Sequence, residues 1–363
     1  MRLHERLNRY LMGEFALGYA LAFGVLAFVV CTFDAVELLR RAAGREFVSM
    51  AEIAYMAFLK LPQMMETLSP FVFLFGAIGV FWRLNRSNEL VVMRTGGVSA
   101  WQFLKPALVV AGVWGVLQVA LFNPFAAAMY GRFTHLEAKY FEEGINQAFI
   151  STDGLWLRQK DDSGEMIVHA SIVEPDFSLR GINAFIFDNQ FQFKQRVDAV
   201  SARLANNAWQ FSDTTVTAAD GERNQLKQLS MPSNLTPSKI QESFSPPQSL
   251  SIWQLPDFIQ VLENSGFATA AHRLHFQVLL TTPFVLMAMV LLAACFSITP
   301  QRQKRTLLLI TGALLAGFMF YSFSNIVHAL GGSGRLPAWL AAWAPFVVTA
   351  LLGVTSMLHY EDG

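Results

Sequence analysis

The stretch Trp82-Arg83-Leu84-Asn85-Arg86-Ser87-Asn88-Glu89-Leu90-Val91-Val92-Met93-Arg94-Thr95-Gly96-Gly97-Val98-Ser99 decides how this chain is read. It is a short polar interlude between two long apolar runs, and its spacing predicts a helix of its own. Ser87 is placed to cap the first free backbone amides, and Glu89 in the first turn suits the positive end of the helix dipole. Leu90, Val91 and Met93 give the helix an apolar side, Arg94 sits near its negative end, and Gly96-Gly97 stop it. Ser99 starts the next run. Two readings stand side by side here: a solvated loop that joins two helices, or a compact capped helix that another protein can grip.

Working outward, the runs on either side are long enough to cross a bilayer, which takes about 20 apolar residues in a helix. Six such runs lie near 11–36, 53–81, 104–128, 274–297, 306–328 and 337–358. The composition agrees: 53% of residues are hydrophobic, Phe alone numbers 32, and the mean hydropathy is +0.36, all far from a typical soluble domain. The 27 basic residues match the 27 acidic ones, which points away from a nucleic-acid partner. Cys31 and Cys295 both fall inside apolar runs, so no disulfide framework is expected. No small-residue cleavage site follows the first apolar run, so that run is expected to remain as a span.

Basic residues flanking the spans set the expected orientation. One side carries Arg2, Arg6, Arg9, Arg83, Arg86, Arg94, Lys105, Arg302, Lys304 and Arg305; the short loops of the other carry Arg40, Arg41, Arg45 and Arg335. This excess places both termini, the Trp82–Ser99 segment and the Gln301–Arg305 loop in the cytoplasm, with the large middle segment outside.

That middle segment separates three spans from three and is too long for an ordinary loop. Over about 132–250 it alternates with period 2 between turn signals such as Asp161-Asp162-Ser163-Gly164, Asp188-Asn189 and Asp220-Gly221, which predicts antiparallel sheet in a sandwich or open barrel. Its edges would offer another chain a place to add a strand. The Pro/Ser-rich stretch Met231–Gln248 should be extended. From Ser251 an amphipathic helix follows, with Ile252, Leu255, Phe258, Ile259 and Leu262 on one face and Gly266 at its end. It is expected to lie in the membrane–water interface. The expected units are thus 1–131 with three spans and a helix at about 87–97, the β domain at 132–250, and the interfacial helix with three more spans at 251–363.

No enzyme signature stands up. Gly312 and Gly317 have the spacing of a phosphate loop, but Phe318 follows them and the stretch lies in a span. His272 and His275 lack the Cys or carboxylate company of a metal site, and His169 in a strand reads as a sheet-surface residue. Charges at the ends of spans say more. Asp34, Glu37, Arg40 and Arg41 cluster at the outer end of the first span, and Arg132 stands at the outer end of the third. Arginine matches phosphate bidentately, so these residues suit an anionic headgroup; the plainer reading is snorkelling side chains at the interface. Lys60 and Glu66 lie within the second span, where each needs a partner on another helix or a cavity, and Pro62 and Pro70 interrupt its backbone bonding. Phe318, Phe320, Tyr321 and Phe323 crowd the fifth span, as packing residues or as the wall of a greasy cavity. A secondary transporter would need paired ionisable residues near midplane and inverted repeats, of which the halves show nothing beyond Lys60 and Glu66. A membrane scaffold displaying a β domain is a further class.

At this point the residues resemble a family. Asn88 to Ser99 looks like the cytoplasmic segment of the LptF/LptG permeases, which export lipopolysaccharide from the inner membrane. Leu61-Pro62 with Ser69-Pro70, Gly154-Leu155-Trp156, Asn234-Leu235-Thr236-Pro237, Arg273 with Pro283, and Gly317-Phe318-Met319-Phe320-Tyr321 resemble it too. The Glu-Leu-Val-Val-Met run and the Asn-Leu-Thr-Pro stretch lean to the family's LptG branch. The resemblance implies six transmembrane helices with an inserted periplasmic jelly roll. It implies a heterodimer with an LptF-like permease on two LptB-like ATPase subunits, with an LptC-like protein alongside. The chain itself would be no enzyme and bind no cofactor, ATP and Mg being used by the ATPase. The short segment would be the coupling helix, with Glu89 and Arg94 as polar contacts, Leu90 and Met93 as the apolar insert, and Gly97 at its end. Arg40 and Arg41, with Glu37 and Arg132, would meet the lipid's phosphates, and Phe318, Phe320 and Tyr321 its acyl chains. Asp34 departs from the pattern, putting a negative charge where relatives can have a basic one.

Overall fold

The computed structural model describes residues 2–42, 49–141, 147–151, 154–161, 164–173, 178–188, 190, 192–205, 208–233, 246–264, 268–297 and 306–362. Arg45, Asp162, Ser163, Asn189, Asn234 to Pro237, Gly266 and the Gln301–Arg305 loop, all named above, lie outside them. Contacts divide the chain into two units, residues 1–130 with 270–363 and residues 131–269.

The first unit is a helical bundle. Helix α1 spans Arg2–Ala42, α2 Met50–Arg86, α3 Glu89–Thr95 and α4 Ala100–Leu117. A π-helical turn, Gln118–Phe122, leads into α5, Asn123–Phe141, which carries the chain into the second unit. Among the described residues, six helical runs are long and apolar enough to cross a membrane, and they coincide with the six runs read from the sequence. Two of the starts are set by reciprocal capping. Ser49 and Glu52 open α2, and Ser99 and Gln102 open α4, each satisfying amides that have no partner inside the helix.

The bundle core joins Phe15 and Tyr19 of α1, Phe73 and Phe81 of α2, Leu90 of α3 and Phe103 of α4 to residues of the later spans. Three rings run across it, Phe15 edge-on to Phe81 at 5.0 Å and Phe81 edge-on to Phe103 at 6.4 Å, tying three helices together. Glycine sets the closest approach. A Cβ on Gly76 would lie 2.7 Å from the Tyr19 ring and 3.2 Å from the Gly18 carbonyl, so only small residues let α1 and α2 cross here.

Among the described residues, the second unit forms a seven-stranded antiparallel sheet in strict sequence order: β1 Gln147–Ser151, β2 Gly154–Asp161, β3 Gly164–Val173, β4 Leu179–Phe187, β5 Phe193–Ala205, β6 Ala208–Ala218 and β7 Arg223–Pro232. Each strand pairs with the next, so the β domain expected as a sandwich, barrel or jelly roll is connected as one meander. Period-2 burial is plain: Leu155, Leu157, Met166, Val168 and Ala170 enter the core while Trp156 and His169 stack on the opposite face, ring centroids 4.4 Å apart. At the β4–β5 turn the Asp188 carboxylate accepts from the amides of Gln190 and Gln192, and Gly221 takes φ +88° at the β6–β7 turn. Met231 and Pro232, assigned above to an extended linker, complete β7.

Helix α6, Leu255–Asn264, corrects one expectation. Its apolar face does not await a membrane surface: Leu262 is buried in the sheet core, with Phe258 and Val261 packed against it. An amphipathic stripe needs an apolar partner, and here the sheet supplies it. The bundle resumes with α7 Ala270–Ser297, α8 Thr306–Gly332 and α9 Ala338–Asp362.

Candidate functional site

The short helix α3 leaves α2 at a tight junction. Ser87 closes α2, its hydroxyl lying 3.2 Å from the Leu84 carbonyl and 2.8 Å from the Glu89 carboxylate. It does not cap α3. That place belongs to Asn88, which turns the chain with a left-handed φ of 59° and makes no side-chain cap bond. Gly97 at φ +84° ends the segment, a conformation that L side chains seldom adopt.

The sides of α3 are assigned differently from the sequence reading. Leu90 is 5% exposed and belongs to the bundle core, and Met93 packs against that core. The two residues named above as an apolar insert therefore anchor the helix to its own chain. Val91 and Val92 are exposed at 50% and 67%, and Arg94 and Gly97 are exposed beside them. The exposed side chains of α3 thus include two valines and an arginine. Glu89 is half-buried and held from two directions, since the Tyr10 hydroxyl of α1 also donates to it at 3.1 Å. Nearby, Arg83 of α2 pairs with Glu14 of α1. Neither Tyr10 nor Glu14 was marked by the sequence.

At the other end of α1 the charges split between two faces. Asp34 turns inward with Leu38 and Ala42, and receives Lys60 of α2 at 2.5 Å. Glu37, Arg40 and Arg41 turn outward, and Arg40 grips Glu37 through Nε and Nη2 at 2.8 and 2.7 Å. What read as one cluster is a buried interhelical pair plus a solvated rim. Arg132 is exposed on α5, within the sheet-bearing unit.

The aromatic residues of α8 do not form one wall. Phe318 is exposed, Phe320 packs on the bundle core, and Tyr321 lies 6.0 Å from the Phe71 ring. Residues 318 and 321 share a helix face; 320 points elsewhere.

A polar set went unread beyond its carboxylate. Asn123 donates to Glu66 at 3.3 Å, and Gln118 donates to Ser69 at 3.1 Å. The π-helical turn between 118 and 123 brings both amides onto the α2 side, as such insertions re-aim side chains. An apolar groove of about 580 Å³ lies between α1 and α2, lined by Leu17, Leu21, Val25, Phe75 and Gly79.

These features define a polytopic membrane permease with an inserted β domain. The chain matches the family described as "Lipopolysaccharide export system permease LptF/LptG" over residues 9–359, and it belongs to that family. It is similar to the lipopolysaccharide export system permease protein LptG of Escherichia coli K12, at 23% identity over 85% of this chain and 86% of that one. It is also similar to LptG of Haemophilus influenzae, at 25% over 84% and 85%. Membership makes this an inner-membrane, multi-pass transport subunit of the lipopolysaccharide export type.

Proposed function

We propose that this chain is one permease of an ATP-driven complex that extracts lipopolysaccharide from the inner membrane and passes it to a periplasmic bridge. Both termini and α3 face the cytoplasm, and the sheet faces the periplasm, where an open edge, β1 or β7, pairs with an LptC-like protein or the bridge. An LptF-like permease completes the transmembrane pair, and two LptB-like subunits bind and hydrolyse ATP with Mg.

The observation that carries this reading is that Val91, Val92 and Arg94 are exposed on a helix whose Leu90 is locked into the bundle core. Such a helix cannot yield separately when pushed, so a closing ATPase pair moves the spans with it. The stroke is needed because each CH₂ drawn into water costs about 0.8 kcal/mol, and a multi-chain lipid has many. Arg40 and Arg41 meet the phosphates, with Glu37 holding Arg40 in place. Phe318 and Tyr321 contact the acyl chains. Phe320 has a packing role.

Hydrolysis by the purified complex, with and without lipopolysaccharide, tests this. We expect lipid to change the rate in wild type, and Arg40→Ala with Arg41→Ala to abolish that change while sparing basal hydrolysis. An ATPase indifferent to lipid, or absent, contradicts the reading.

A further inference from the structure

The short helix is bonded to the first span as well as to its sequence neighbours. The Tyr10 hydroxyl reaches across 79 positions to the Glu89 carboxylate at 3.1 Å, and Ser87 holds the same carboxylate at 2.8 Å. One turn along α1 from Tyr10, Glu14 pairs with Arg83 of α2. One residue further, Phe15 meets Phe81 edge-on at 5.0 Å, and Phe81 meets Phe103 of α4. Leu11, on the turn between, is buried in the same core as Leu90. A polar tie, an ion pair and an aromatic contact therefore fall within six residues of α1. Tyr10 itself is 44% exposed, and Arg83 interacts with the same hydroxyl.

We propose that Tyr10 is a positioning residue, which ties Glu89 to α1 so that displacement of the short helix is delivered to the first span as well as to α2 and α4. This deepens the function proposed above and rests on it for the source of the displacement. The tie itself is a property of this chain. Physically, a carboxylate held by two hydroxyls from different helices has one orientation, whereas one held by Ser87 alone keeps only a contact within its own junction. A rigid connection of this kind is what allows two sites to bias one element.

Two measurements test it. In the full-length chain with Cys31 and Cys295 replaced by alanine, spin labels at Asn8 and Val92 report the spacing of α1 and α3 in nanodiscs. A narrow distance distribution is expected, kept in Glu89→Gln, whose amide oxygen still accepts, and broadened in Tyr10→Phe. Equal widths in all three overturn the proposal. In the complex with its ATPase, Tyr10→Phe should keep basal hydrolysis while lipid released per ATP falls about three- to tenfold, the scale of the net contribution of one ordinary hydrogen bond. An unchanged ratio also overturns it. If wild type carries no ATPase, the proposed function fails, and the spin-label result still decides the tie.

Discussion

Lys60 and Asp34 form an interhelical ion pair, Nζ to Oδ1 2.5 Å, with Asp34 6% exposed at its side chain and Lys60 22%. It joins α2 to α1 beside the arginine rim, and it changes what Asp34 means. A carboxylate that seemed to oppose an anionic headgroup is instead neutralised from within. Breaking one partner leaves the other charge buried, which costs about 3 kcal/mol or more. Lys60→Met should therefore lower the thermal midpoint in detergent, and adding Asp34→Leu should restore most of it. A single variant as stable as wild type contradicts the pair.

Glycine at the α1–α2 crossing makes a sharper contrast. A Cβ at Gly76 meets the Tyr19 ring and the Gly18 backbone, whereas one at Gly79 meets nothing within 4 Å. Gly76→Val should destabilise by about 2 kcal/mol through overpacking. Gly79→Ala should be neutral or mildly stabilising, because alanine favours the helix. Unfolding followed by tryptophan fluorescence distinguishes them.

The packing of α6 predicts opposite outcomes for two pictures of that helix. Leu262 is 1% exposed within the sheet core. Leu262→Ala should cost about 2–4 kcal/mol and raise hydrogen exchange in the strands it covers. If α6 instead lay on the bilayer, exchange in the sheet would not change.

Much of this was readable in the residues, for physical reasons. Each span exceeds the hydrocarbon thickness and carries few charges, so hydropathy alone places it. Strands β2 and β3 alternate cleanly because one face is packed, as Leu155 and Val168 against Trp156 and His169 show. The side of α3 was not readable. With 7 residues it makes two turns, too few for periodicity to say whether Leu90 or Val92 points inward. Ser87 misled because serine before an acidic residue can end one helix or begin the next; the left-handed Asn88 decides it. Amphipathicity in α6 reports that an apolar surface is nearby, without saying whether it is lipid or sheet. The Asp34–Lys60 and Tyr10–Glu89 bonds join residues far apart in sequence, where spacing has nothing to say.

Leu90 and Val92 differ in kind, although they stand two positions apart. Leu90→Ala opens a cavity in the core and should lower stability by about 2 kcal/mol or more. Val92→Ala should leave the midpoint within about 0.5 kcal/mol, as for an exposed side chain. The reverse ranking would mean that α3 is turned about its axis.

The claim that the chain receives its push on the Val91–Val92–Arg94 surface is tested most directly by co-purification from membranes. Tagged wild type and a Val92→Glu, Arg94→Glu variant of equal thermal midpoint are isolated in mild detergent and assayed for bound ATPase and ATP hydrolysis. The account predicts a hydrolysing ATPase subunit with wild type and its loss with the variant. Equal recovery of the ATPase by both would contradict it.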